Sequence, residues 1–72
     1  MGYSIEQAER DGWVINQQTD GRWVGIVYQP PHWRWLLPDG SAVIPWQPEV
    51  QMPTREEVEL ALARYQLAQG GA

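Results

Sequence analysis

Cysteine, phenylalanine and lysine are all missing from this chain of 72 residues. Without cysteine the chain has no disulfide and no thiolate ligand, and its single histidine would need several carboxylates to complete a zinc site. We therefore expect no metal and no cofactor. A single core at this size seldom contributes more than about 3–5 kcal/mol. Association with another chain is the remaining device by which so small a domain gains stability.

Basic residues are few. Five arginines stand against nine acidic residues, which gives a net charge of −4 and an isoelectric point of about 4.6. Proteins that follow a phosphate backbone carry a basic face, so the composition argues against nucleic acid as the main partner. Arginine without lysine also suits a GC-rich coding sequence, which favours a bacterial or phage origin.

Long apolar runs are missing too. No stretch approaches the roughly 20 apolar residues of a membrane-spanning helix. The first residues, Met1–Glu6, have neither the basic flank nor the apolar centre of a signal peptide. We therefore expect a cytoplasmic protein with no membrane partner.

The residue patterns of an active site are missing as well. No serine or threonine lies in a nucleophile elbow, and no glycine-rich phosphate loop or metal-ligand spacing occurs. His32 follows Pro30-Pro31, a position more typical of a loop end than of a catalyst. We therefore expect a protein that is not an enzyme and has no catalytic residues.

Tryptophan is what the chain has in abundance. Each tryptophan lies in a short apolar run bounded by glycine, proline or aspartate, which is typical of strands. Aromatic side chains of this size bury about 150–250 Å² each, so a few of them suffice for a small core. The five are Trp13, Trp23, Trp33, Trp35 and Trp46.

The first hairpin is indicated by Asp20-Gly21, a strong signal for a two-residue type I′ turn. Such a turn pairs Ile15 with Ile26 and Trp13 with Tyr28. One face of the hairpin then carries Trp13, Ile15, Val24, Ile26 and Tyr28, and the other carries Val14, Asn16, Gln18, Trp23, Gly25 and Val27.

Two more strands follow Pro30-Pro31. A third strand is expected over 32–37, and Pro38-Asp39-Gly40 fits a three-residue loop closed by a left-handed glycine. A fourth strand is expected over 41–46, at the edge of the sheet because it contains Pro45.

Two helix starts are visible. Ser4-Ile5-Glu6-Gln7 is a capping box for a short helix, with a frayed tail as the alternative, and Thr54-Arg55-Glu56-Glu57 is a second helix start. The chain is therefore expected to form one α+β domain, a three- to four-stranded antiparallel β-meander with a C-terminal helix packed on one face. Its segments are a short helix over 5–11, the β-meander over 12–46, a stiff polyproline-like connector over 47–53, a helix over 54–69 and a tail over 70–72.

The C-terminal helix has two apolar stripes. The stripe expected to cover the sheet contains Val58, Ala61, Leu62, Tyr65 and Ala68. With the hairpin pairing above, the predicted core contains Trp13, Ile15, Ile26, Tyr28, Trp35, Leu62 and Tyr65. Leu60, Ala63 and Leu67 lie on the other side of the helix, where a surface helix is normally polar. This second stripe indicates a binding surface, against the alternative of scattered surface leucines.

His32-Trp33-Arg34-Trp35 alternates polar and aromatic residues along one strand. The pattern favours a half-buried strand with both tryptophans in the core and Arg34 in solvent. The alternative is an aromatic platform with arginine beside it, as in binders of single-stranded nucleic acid or in protein hot spots.

We therefore predict a small acidic protein-binding module that self-associates, as a homodimer, or acts as an adaptor or inhibitor of a larger protein. The alternative is a nucleic-acid-binding module that uses a Trp/Arg sheet face. The predicted interface residues are Leu60, Ala63, Leu67, Trp23, Arg34, Ile44 and Trp46.

Overall fold

The structure, a computed structural model, describes residues 3–70. Its elements are α1 (Ile5–Arg10), β1 (Trp13–Gln17), β2 (Trp23–Gln29), β3 (His32–Leu36), β4 (Ala42–Val43), a 3-10 turn (Pro48–Val50) and α2 (Arg55–Gly70). The four strands form one antiparallel sheet in chain order. The predicted α+β fold, a meander with a C-terminal helix and a short N-terminal helix, is confirmed.

Both helices begin where the capping signals predict. The Gln7 N–H donates to Ser4 Oγ at 3.1 Å and the Ser4 N–H donates back to Gln7 Oε1 at 2.9 Å, so the capping box is complete. Thr54 Oγ1 accepts from the Glu57 N–H at 3.2 Å. Helix α1 ends one residue before the predicted Asp11, and α2 includes Gly70. The rest of the predicted tail, 71–72, and the predictions made on Met1 and Gly2 lie outside the described residues.

The turn between β1 and β2 has three residues rather than two. The Gln18 N–H donates to the Arg22 carbonyl at 2.6 Å, and the Gly21 N–H donates to the Gln18 carbonyl at 2.9 Å. Gly21 has φ 93°, which gives a type I turn followed by a left-handed glycine. The prediction of a two-residue type I′ turn is therefore wrong.

The longer turn shifts the pairing of β1 and β2 by one residue. Trp13 lies opposite Val27, and Ile15 lies opposite Gly25. Because side chains alternate along a strand, a shift of one residue moves every side chain of β2 to the other face. Ile26 and Tyr28, predicted in the core, therefore lie on the face opposite to Trp13.

Because β3 pairs with β2, the side chains of β3 also lie on the opposite face, relative to Trp13, from the one predicted. Val27 lies opposite Arg34, and Ile26 lies opposite Trp35. Arg34 is therefore half-buried on the side of the core, whereas Trp33 and Trp35 lie on the other face. The prediction that both tryptophans belong to the core is wrong, although their predicted alternation with Arg34 is confirmed.

Strand β4 contains only Ala42 and Val43, not the predicted 41–46. It pairs with β3 through Val43 opposite Trp35 and Ala42 opposite Leu36. The chain leaves the sheet before Pro45, which has no amide hydrogen for a ladder bond.

The core lies between one face of the sheet, here called the covered face, and the two helices. From β1, β2 and β3 the covered face contributes Trp13, Val27 and Leu36. Onto it pack the buried residues Ile5 and Ala8 of α1 and Val58, Ala61 and Leu62 of α2. The rings of Trp13 and Tyr65 meet edge to face at 5.1 Å. The predicted α2 stripe is correct for its first three residues; Tyr65 is half-buried and Ala68 is exposed.

The proline-rich connector contributes two residues to the interior that the sequence analysis missed. Val50 and Met52 are fully buried. The Trp23 N–H donates to the Met52 carbonyl at 2.7 Å, and the Met52 N–H donates back at 2.8 Å. The predicted polyproline-like geometry is wrong over Pro48–Val50, which forms a 3-10 turn.

The turn between β3 and β4 has the three-residue geometry that was predicted. The Gly40 N–H donates to the Leu37 carbonyl at 2.9 Å, and Gly40 has φ 94°. A Cβ on Gly40 would lie 2.6 Å from Arg64 Cβ and 2.9 Å from the backbone nitrogen of Tyr65. Arg64 Nη1 also donates to the Pro38 carbonyl at 2.8 Å. The turn therefore packs directly on the backbone of α2.

The two left-handed glycines form a matched pair for mutation. A left-handed alanine costs about 1–2 kcal/mol, and we expect this loss in Gly21→Ala, where no atom lies within 4 Å of the added Cβ. Gly40→Ala adds a clash with the backbone of α2 and should lose clearly more stability. Urea unfolding followed by tryptophan fluorescence measures both variants. Equal losses would show that the turn does not pack on the helix.

Trp13 should be the tryptophan on which folding depends most. It is 4% exposed, and replacing a core tryptophan by alanine costs about 3–5 kcal/mol, as much as a core of this size supplies. We expect Trp13→Ala to show no cooperative thermal transition by circular dichroism. Trp33→Ala, at a side chain that is 45% exposed, should keep one. A cooperative transition in the first variant, or its loss in the second, contradicts this assignment of faces.

Candidate functional site

The second face of the sheet, here called the open face, is the candidate site. Neither helix packs on it, since the core residues of both lie against the covered face. Tyr28 and Trp33 are 49% and 45% exposed, and Val14 is exposed as well. The apolar side chains of the open face are Val14 on β1, Val24, Ile26 and Tyr28 on β2, Trp33 and Trp35 on β3, and Val43 on β4.

Strand pairing places these side chains in contiguous rows. Val14 lies opposite Ile26, Ile26 opposite Trp35, and Trp35 opposite Val43, so one apolar row crosses all four strands. Tyr28 lies opposite Trp33 in the neighbouring row, with ring centroids 5.2 Å apart and planes tilted by 45°. Directly opposite side chains support each other in an antiparallel sheet, so the rows hold the aromatic rings in place.

The open face carries no charge. Arg34 is the only charged residue in the four strands, and it lies on the covered side. The polar groups on the open face are the Asn16 side chain, the Tyr28 hydroxyl and the indole N–H groups of Trp33 and Trp35. An uncharged apolar face on a chain of net charge −4 differs from the rest of its surface.

The predicted interface residues do not form one surface. Leu60 and Leu67 are exposed on α2, with Ala63 half-buried beside them. Ile44 and Trp46 are exposed in the segment after β4.

The other two predicted interface residues lie elsewhere. Trp23 and Arg34 are half-buried on the covered side, and the backbone of Trp23 is paired with Met52. Arg34 therefore does not stand beside Trp33 and Trp35 as an arginine next to an aromatic platform.

Sequence reasoning missed the most exposed part of the open face, Val14, Tyr28 and Trp33. The sequence does not choose between the two possible turns, because Thr19-Asp20-Gly21 fits a three-residue turn as well as Asp20-Gly21 fits a two-residue one. With the three-residue turn, period-2 alternation places Val14 and Tyr28 on one face, opposite to Trp13.

A groove of about 420 Å³ lies between the N-terminal segment and α2. Its lining contains Leu60 and Ala63 together with Tyr3, Ser4, Glu56 and Glu59. Glu6 and Arg55 form an exposed ion pair at 3.6 Å between α1 and α2.

Tyr3, in the lining of this groove, has a raised pKa. Burial, the hydrogen bond that its hydroxyl donates to the Asp11 carboxylate, and the charge of Asp11 raise the pKa of Tyr3 to about 12. The hydrogen bond between Tyr3 and Asp11 joins the N-terminal segment to the end of α1.

Within residues 3–70, no three histidine or acidic side chains lie close enough together to hold a metal ion. Over the same residues, no helix has the length and apolar character needed to cross a membrane. Comparisons of the chain with protein-family models, with curated proteins and with solved structures give no match.

Proposed function

We propose that this protein is a non-enzymatic protein-binding module that self-associates or acts as an adaptor or inhibitor of a larger protein. Its binding surface is the open face of the sheet. The observation that carries the proposal is the contiguous, uncharged row of apolar side chains across the four strands, with the exposed rings of Tyr28 and Trp33 in the row beside it.

The energetics of the exposed rings support a binding role. At 49% and 45% exposure, Tyr28 and Trp33 leave about 140–240 Å² of mostly apolar surface in water. Covering that surface is worth about 4–6 kcal/mol at 25 cal/mol per Å², before the cost of association. Aromatic side chains of this kind are the commonest anchors of protein interfaces, and contiguous apolar patches mark interaction sites.

The charge distribution indicates the chemistry of the partner. The open face offers no charge to pair, so the partner should present an apolar area against it. The acidic residues of the chain lie outside the open face, mainly on the helices and turns. A basic margin around the apolar area of a larger partner would complement them.

The test compares two kinds of surface variant. Tyr28→Ser combined with Trp33→Ser removes the exposed rings, and Leu67→Ser is the control on α2, at a side chain that is 74% exposed. We expect chemical cross-linking in the cells that express the protein to join wild type and Leu67→Ser to the same larger protein. The double variant should lose that partner.

Circular dichroism checks that all three proteins are folded. Cross-linking to that larger protein that persists in the double variant would contradict the open face as its binding surface. Loss in Leu67→Ser alone would move the surface to the predicted stripe of Leu60, Ala63 and Leu67.

Nucleic acid is the alternative partner, because exposed aromatic rings on a sheet also stack on bases. The open face has no arginine to contact phosphates, and the net charge is −4. We therefore expect no saturable quenching of tryptophan fluorescence by DNA or RNA oligonucleotides at physiological salt. Saturable quenching at micromolar concentration that Trp33→Ser removes would favour the alternative.

A further inference from the structure

The outer edge of the sheet along β1 has unpaired backbone groups. Trp23 exchanges backbone hydrogen bonds with Met52, so its N–H and C=O point away from β1. Its partner Gln17 is therefore in a non-hydrogen-bonded pair, and the pattern alternates along the ladder. The N–H and C=O groups of Trp13, Ile15 and Gln17 accordingly point outward from the sheet. Across residues 3–70, no hydrogen bond from a loop, cap or side chain reaches them.

The two edges of the sheet differ in how well they are protected against pairing with a strand of another chain. Sheet edges in natural proteins are usually blunted by short strands, proline, charged side chains or bulges. The β4 edge has two such features, a strand of two residues and Pro45 just after it. Strand β1 has five residues, Trp-Val-Ile-Asn-Gln, with no charge, proline, glycine or bulge. The β1 edge is thus a regular template for another strand.

We propose that a second copy of this chain pairs with this edge, β1 against β1 in antiparallel orientation, and that the dimer has one continuous eight-stranded sheet. A twofold axis at Ile15 places Ile15 opposite Ile15 of the second copy and Trp13 opposite Gln17 of the second copy. The three outward N–H groups of each copy then donate to carbonyls of the other, which makes six backbone hydrogen bonds. The strand is complementary to itself in this register, as a twofold interface requires.

Charge at the ends of the strand also permits this arrangement. Antiparallel pairing brings the β1–β2 turn of one copy near the end of α1 of the other. The turn carries Asp20 and Arg22, and the end of α1 carries Arg10 and Asp11. Each junction therefore offers both signs of charge to its counterpart, and β1 itself brings no charge into the pairing.

The inference rests on the self-associating form of the proposed function, and it extends the open face. In this register Val14 lies opposite Asn16 of the second copy, so the open faces of the two copies would join along β1 into one wider surface. The edge and the open face are nevertheless different surfaces with different variants. An experiment that rules out pairing at the β1 edge is therefore distinguishable from one that rules out binding by the open face.

The first experiment removes one outward N–H. Gln17→Pro deletes the hydrogen that points away from β2 and leaves the β1–β2 ladder intact, because proline is tolerated where its nitrogen faces solvent at an edge. Gln17→Ala is the matched control, since it keeps the N–H and loses the side chain. By sedimentation velocity we expect wild type and Gln17→Ala to form dimers as concentration rises, and Gln17→Pro to remain monomeric with unchanged circular dichroism.

Amide hydrogen exchange of the wild type tests the pairing without any variant. In dilute samples the Val14 and Asn16 N–H groups should be protected and the Ile15 and Gln17 N–H groups should exchange fast. In concentrated samples all four should be protected.

Three outcomes would overturn the inference: a monomeric wild type at every concentration, no change in Ile15 and Gln17 exchange on concentration, or a dimer that persists in Gln17→Pro. If that persistent dimer is lost in the Tyr28→Ser and Trp33→Ser double variant, the open face is the self-association surface.

Discussion

The three-residue turn between β1 and β2 determines which side chains this protein keeps in its interior. Gly21 adopts the left-handed conformation that closes the turn, and the Asp20 carboxylate accepts from the Arg22 N–H at 2.9 Å. That hydrogen bond holds the pKa of Asp20 below its usual range, because it favours the charged carboxylate. The turn sets Trp13 opposite Val27, and this register decides which side chains of β2 and β3 share a face with Trp13.

The register decides which apolar side chains of the sheet form the core and which stay exposed. The covered face takes Trp13, Val27 and Leu36, which suffice with the helices to form the core. The open face keeps Tyr28 and Trp33, which no helix covers. At the far end of the sheet, Gly40 lets the second turn approach the backbone of α2, which holds the helix against the covered face. The exposed aromatic rings therefore lie on a sheet whose opposite face is packed against both helices.

The parts of the fold that depend on neighbouring residues were predictable from the sequence. The caps at Ser4 and Thr54 and the turn closed by Gly40 are local signals, and the structure has each of them. The register of the first hairpin was not predictable, because Asp-Gly suits turns of both two and three residues. The predicted core and the open face were misassigned for this one reason. The burial of Met52 depends on pairing with the distant Trp23, for which the sequence has no local signal.

The most direct test of this account is the solvent access of two neighbouring positions on β2. The chain has no native cysteine, so a single introduced thiol can be labelled without background. Tyr28 is 49% exposed on the open face and Val27 is 7% exposed on the covered face. We predict fast labelling of the native Tyr28→Cys variant by a thiol reagent and slow labelling of the native Val27→Cys variant. Fast labelling at position 27 with protection at position 28 would contradict the register and, with it, the open face.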